Sequence, residues 1–154
     1  MPTFHQVIFY VLVIAVLALN VISDIKFWGM VVHHQYMKEI KEQAGVFSDL
    51  ATIFNPKIVR ILNTALYTLA AVLPLTLNVA IYFQARSFNS PQLSHTAATL
   101  VLLQLLIIIF QTCAWPTPAF PNRSFSKPML VTDIALTFIG YALLICLLCQ
   151  AITA

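Results

Sequence analysis

The sequence predicts an all-α integral membrane protein in which four transmembrane helices form an up-down bundle. Of the 154 residues, 60% are hydrophobic and only 8% are charged, whereas a soluble domain is usually about one quarter charged. A helix needs roughly 20 apolar residues to cross a bilayer core about 30 Å thick. Four stretches of the chain are that long, and no alternating pattern of barrel strands is present. A single helical membrane domain over 1–154 follows, because a spanning segment must satisfy its own backbone hydrogen bonds.

The ends of the spans are marked by cap residues and prolines. The expected spans are about 4–23, 58–83, 92–115 and 129–152. Each of the last three opens with a cap residue and a proline in the first turn, as in Asn55-Pro56, Ser90-Pro91 and Ser126-Lys127-Pro128. Pro116 is expected to stop the third span, and Pro74 to kink the second.

The connection between the first two spans is predicted to hold an amphipathic helix over about 24–47. Its apolar residues recur at helical spacing and form a docking stripe of Tyr36, Met37, Ile40 and Phe47. We expect this stripe to lie against a partner or lipid headgroups, because an exposed apolar stripe is hard to justify on so small a protein. Gly29 leaves two courses open: the first helix continues straight, or it bends there and lies along the surface. Gly45 is expected to end the extension.

The distribution of positive charge predicts an orientation. Seven of the eight Lys and Arg residues lie in or beside the first and third connections, namely Lys26, Lys38, Lys41, Lys57, Arg60, Arg123 and Lys127. The positive-inside rule then places both connections in the cytoplasm and both termini outside, in a bacterial inner membrane or its equivalent. No clustered basic face suggests nucleic acid. The expected partners are the lipid bilayer and other membrane subunits or a second copy of the chain.

His33 and Met37 form a weak candidate cofactor site. On a continuous helix they share one face, and imidazole with thioether suits haem iron or copper. His34 points elsewhere, however, and no second ligand set is evident on that side of the membrane. We interpret the segment as a helix leaving the bilayer and expect no cofactor, with haem or copper as the alternative. Whether Cys146 and Cys149, a C-x-x-C pair, have a chemical role is left open.

Polar side chains interrupt two of the spans. Gln104 and Gln111 are seven residues apart and hence on one face of the third span, and Asn63 and Asn78 lie in the second. An unpaired amide in hydrocarbon costs several kcal/mol, so these side chains are expected to face other helices. Contacts between helices are the preferred interpretation, and a polar lining for a substrate or proton path is the alternative.

An ionisable layer is predicted near the cytoplasmic face. Arg60 and Asp133 lie at similar depth when residues are counted from the openings of their spans, and Asp24 lies near the end of the first span. We expect Arg60 to pair with Asp133, holding the second and fourth spans together. A site that handles protons or ions is the alternative, since charged groups inside a span are costly.

No motif in the chain identifies a protein family or an enzyme class. A catalytic triad, a complete metal-ligand set and carboxylates paired within one helical turn of a span are all missing from the sequence. The preferred hypothesis is therefore a non-catalytic subunit of a membrane complex, or a small homo-oligomer. The alternatives are a small membrane-embedded enzyme acting on a lipophilic substrate and a channel or proton-coupled transporter.

Overall fold

The computed structural model describes residues 2–116, 122–124 and 126–154. Five α-helices account for most of them: α1 (Phe4–Val32), α2 (Gln35–Ile53), α3 (Pro56–Ala85), α4 (Pro91–Ala114) and α5 (Lys127–Thr153). A short 3₁₀ turn, Arg86–Phe88, follows α3. Helices α1, α3, α4 and α5 are long and apolar enough to cross a membrane, and no strand occurs in the described residues. The predicted all-α membrane fold is confirmed.

The predicted helix openings are also present. The cap side chains accept hydrogen bonds from backbone N–H groups of the first turn: Asn55 from Lys57, Ser90 from Leu93 and Ser126 from Met129. Helix α1 opens with a reciprocal pair, in which the Thr3 and Gln6 side chains each accept from the other's backbone N–H. These bonds satisfy N–H groups that have no partner within the helix, so they fix where each span begins.

The junction between α1 and α2 follows neither of the two courses that the sequence left open. Helix α1 continues through Gly29, and the break comes at His34, whose φ of 57° lies in the left-handed region. Histidine enters that region more readily than branched residues do. Helix α2 then runs through Gly45, so the prediction that Gly45 ends it was wrong. A glycine inside a helix costs only about 1 kcal/mol relative to alanine, and α2 is supported by packing on α1 and α3.

The four spans alternate in direction. His5, near the start of α1, contacts Gln84, near the end of α3, with 2.9 Å between Nδ1 and Oε1. Gln111, near the end of α4, donates to Asp133, near the start of α5. The bundle therefore has a terminal end, which holds the chain termini and the α3–α4 connection, and an α2 end, which holds α2 and the α4–α5 connection. Helix α3 packs against α1 and α4, and α5 packs against α4 and α1.

The terminal end is filled by apolar side chains from all four spans. Its core comprises Phe9, Val13, Val16, Ile81, Ala85, Leu93, Ala97, Leu100, Leu144, Leu147 and Ala151. The ring of Phe9 packs edge to face on Phe88, with 5.0 Å between the ring centroids. Many large apolar side chains on the outer faces of the spans are exposed, as expected where a helix meets lipid rather than protein.

The docking stripe faces the bundle of its own chain. Ile40 is only 3% exposed, and Tyr36, Met37 and Phe47 are half-buried. The sequence-based expectation placed these side chains against a partner or lipid headgroups. The structure differs because the chain changes direction at His34, which lets α2 lay its apolar face on α1 and α3.

Candidate functional site

A cavity of about 550 Å³ lies between the four spans, in the half of the bundle toward the α2 end. It extends from Tyr36 and Trp115 at the α2 end to Asn78 and Leu144, where it meets the apolar core. Small-molecule sites in proteins usually measure about 300–1,000 Å³. The cavity is therefore large enough for a small organic molecule.

Each of the four spans contributes polar side chains to the cavity wall. They include Asp24 from α1, Asn78 from α3, Gln104 and Gln111 from α4, and Asp133 and Tyr141 from α5. The sequence had singled out five of these six residues, as an ionisable layer or as contacts between helices. In the structure they share one space, together with apolar side chains from α4 and α5.

Two carboxylates in the cavity wall are held by donors from neighbouring spans. The hydroxyl of Tyr141 donates to Oδ2 of Asp24, which joins α5 to α1. Nε2 of Gln111 donates to Oδ1 of Asp133 over 3.2 Å, which joins α4 to α5. Asp133 is only 5% exposed, and buried polar groups in proteins are nearly always hydrogen-bonded. These two bonds set the positions of both carboxylates.

The expected pairing of Arg60 with Asp133 is not present. Arg60 is exposed and lies in a shallow groove on the outer face of α3, and no ion pair joins it to either carboxylate in the part of the chain that the structure describes. Counting residues from the span openings places Arg60 and Asp133 at a similar depth in the bilayer. It does not give the direction in which each side chain points around the bundle. Helix α3 turns the Arg60 side outward and packs on α1 and α4, whereas Asp133 faces Gln111.

Asn78 is a buried amide in the wall of the cavity. The residue is 2% exposed, and its Nδ2 donates to Oε1 of Gln104 over 3.4 Å. Its Oδ1 is buried and has no hydrogen-bond partner among the described residues, which usually costs about 1–3 kcal/mol. Asn63 is also buried with an unpartnered Oδ1, but it does not line the cavity. The Asn78 side chain thus joins α3 to α4 through Gln104.

An aromatic cap of Phe27, Tyr36 and Trp115 lines the cavity at the α2 end. The ring of Phe27 packs edge to face on both others, with 5.2 Å between centroids in each case. The Tyr36 hydroxyl donates to the carbonyl oxygen of Pro116 over 3.1 Å. Burial, and secondarily the nearby Tyr67 and Asp133, raise the pKa of Tyr36 to about 12. The hydroxyl thus stays a neutral donor at physiological pH, and it ties α2 to the end of α4.

Raising the pH should weaken the hydrogen bond from Tyr36 to Pro116. Because the folded pKa of Tyr36 is about 12 and the ordinary value is 10.0, its contribution to stability is complete below pH 10 and is lost as the pH rises through 12. We expect the melting temperature of the wild type to fall more steeply between pH 10 and pH 12 than that of Tyr36→Phe. Thermal unfolding in detergent measures both, and parallel curves would show that Tyr36 ionises without effect on stability.

The residues considered for metal or haem do not form one face. His33 ends α1 and Met37 lies beyond the break, so the continuous helix on which they would share a face is interrupted. His33 and His34 are both exposed. No group of three His, Cys, Asp or Glu side chains suited to a metal ion occurs within 2–116, 122–124 and 126–154. Cys146 and Cys149 are exposed free thiols on α5.

Phe27, Trp115 and Tyr141 are among the cavity residues that sequence reasoning did not single out. Tyr141 sits in an apolar span with no polar neighbour in sequence, and its role depends on meeting Asp24 of another helix. Aromatic residues at span ends, such as Phe27 and Trp115, are also common as interfacial anchors, so their type alone did not indicate a cavity.

Comparison with known proteins identifies no family. No family model, no curated protein and no solved structure matches the chain. What the fold establishes is a small polytopic membrane protein with four spanning helices.

Proposed function

We propose that this protein binds a small amphiphilic molecule in the cavity between its spans. The observation that carries the proposal is the cavity itself, about 550 Å³ of space with two carboxylates in its wall. Polar groups that served only to join helices would be expected to pack against each other, because interiors hold few voids larger than a water molecule. A space of this size at the polar layer favours a ligand.

The lining matches a molecule with one polar and one apolar part. Leu103, Ile107 and Leu144 line the same space as the carboxylates, so the wall offers apolar area and a few polar groups that fix orientation. Thr64 and Thr68 belong both to the cavity wall and to the outer groove of α3, and both are exposed. This supports entry from the bilayer side, beside α3. From the Lys and Arg distribution we further propose that the α2 end faces the cytoplasm.

Photolabelling in lipid nanodiscs tests the proposal. The probe is a long-chain alcohol that carries a diazirine, which inserts into nearby side chains on irradiation. We expect saturable labelling of cavity residues such as Leu103 and Leu136, and its loss with excess unlabelled alcohol. The exposed Leu102 should be labelled without saturation, because it meets only bulk lipid. Unsaturable labelling at every mapped position would contradict the proposal.

A second candidate is a subunit of a membrane complex or a small homo-oligomer. It is supported by the groove on the outer face of α3, where Arg60, Thr64 and Thr68 lie. Polar residues that face lipid are costly, and small side chains let another helix approach closely. Native mass spectrometry from nanodiscs separates the cases. An assembly larger than one chain that Thr64→Leu and Thr68→Leu dissociate would support this candidate, and a single chain would oppose it.

A further inference from the structure

We infer that the polar part of the bound molecule is an amine, so that the ligand class is a lipophilic amine. The inference rests on the proposed function, and its first ground is the charge of the cavity. The carboxylic acids in the wall are Asp24 and Asp133, and no Lys, Arg or His from the described part of the chain lines it. An ionised carboxylate in a low-dielectric site is costly without a compensating positive charge, and a ligand ammonium would supply that charge.

Two arginines lie toward the α2 end of the bundle, and neither lines the cavity. Nη1 of Arg123 donates to the carbonyl oxygens of Thr112 and Trp115, at 2.7 and 3.4 Å, and so binds the last turn of α4. Arg60 lies in the outer groove of α3. The carboxylates of the wall are therefore left for a ligand to complement.

The hydrogen-bonding capacity of the wall points the same way. Asp24 and Asp133 each accept a side-chain bond from another span, from Tyr141 and Gln111, although a carboxylate offers about four acceptor sites. The wall therefore has acceptor capacity to spare, and an ammonium brings two or three N–H donors where an alcohol brings one.

The aromatic cap adds a third, independent ground. Phe27, Tyr36 and Trp115 line the same cavity as the carboxylates, and the face of an aromatic ring attracts a cation within about 6 Å. Tyr67 also lines this space. Carboxylates beside aromatic rings form a site that attracts cations and repels anions, while Leu103 and Ile107 offer apolar surface to a hydrocarbon chain.

The test compares two probes that differ only in the polar group: a diazirine-bearing alkylamine and the alcohol of the same chain length. Nanodiscs of phosphatidylcholine at pH 7 avoid attraction by anionic lipid. We expect half-saturation by the amine at a concentration about 10- to 100-fold lower than by the alcohol, the usual gain from a charge-assisted hydrogen bond. Asp24→Asn and Asp133→Asn should reduce this advantage to within about threefold. The control is Asp49→Asn, which alters an exposed carboxylate of α2.

The outcomes separate the inference from the proposed function. Equal saturable labelling by both probes, or an amine advantage that survives in both Asn variants, overturns the inference and leaves the proposed function intact. Unsaturable labelling of the wild type by both probes overturns both. If an Asn variant fails to fold, which the loss of its thermal unfolding transition would reveal, competition on the wild type decides. An alkyl sulfate of equal length is expected not to compete with the amine probe, and competition as strong as that of unlabelled amine would overturn the inference.

Discussion

Replacing Ala71 with Phe is expected to weaken binding in the cavity. The half-saturating concentration of the photoreactive alcohol should rise at least about tenfold, which corresponds to a loss of about 1.4 kcal/mol of binding free energy. Ala71 lies on α3 and its side chain lines the cavity. A phenyl ring there occupies the space that the ligand would fill. Overpacking a filled core usually costs about 1–3 kcal/mol, but the cavity has room for the ring, so the bundle should stay folded.

Ala70→Phe is the matched control for this variant. Ala70 is the preceding residue of the same helix and is exposed on the bundle surface, where a phenyl ring meets lipid. We expect labelling of this variant to equal that of the wild type. If Ala71→Phe also binds the alcohol as the wild type does, while melting at a similar temperature, the ligand does not occupy the cavity.

Phe9→Ala is expected to lower the free energy of unfolding by about 2–4 kcal/mol. Phe9 is fully buried in the core of the terminal end, where its ring packs on Tyr10 and Phe88 with 5.7 and 5.0 Å between centroids. Transfer from water contributes little in a bilayer, because lipid is as apolar as the core. The loss comes from van der Waals contacts and from the void left behind.

Phe4→Ala gives the comparison on the same helix. Phe4 is 76% exposed, so removing its ring should change the free energy of unfolding by less than about 0.5 kcal/mol. Unfolding by dodecyl sulfate in mixed micelles measures both variants. A cost below about 1 kcal/mol for Phe9→Ala would contradict a tightly packed terminal end. We also expect Phe9→Ala to keep saturable labelling, since Phe9 lies in the core and not in the cavity wall.

The spans could be predicted from sequence because the features that define them are local. Each span is an apolar stretch long enough to cross a bilayer, and such a stretch must be helical. In the last three spans the start is set by a residue that caps its own first turn, namely Asn55, Ser90 or Ser126. These features involve residues two or three positions apart, so no tertiary information is needed. The predicted limits of the last three spans fall within about two residues of α3, α4 and α5. Only α1 runs well past its expected end, and there Asp24 accepts a hydrogen bond from Tyr141 of α5.

Part of the candidate site was also accessible from the sequence. Polar residues inside spans, such as Asn78, Gln104 and Asp133, are costly in lipid and were expected to face protein. Which residues they meet was not predictable. Asp24 and Tyr141 are 117 positions apart, and their contact depends on how α1 and α5 rotate about their own axes.

The sequence by itself determined that this chain crosses a membrane four times and where its spans begin, because both follow from local composition. It also determined which polar side chains turn away from lipid, because an unpaired polar group in lipid is costly. The tertiary structure alone decided that these side chains surround an open space, that the docking stripe covers its own bundle, and that Arg60 faces outward. Residue counting fixes the depth of a side chain in the bilayer. Its angle around the bundle depends on packing between helices, which no single segment of the chain specifies.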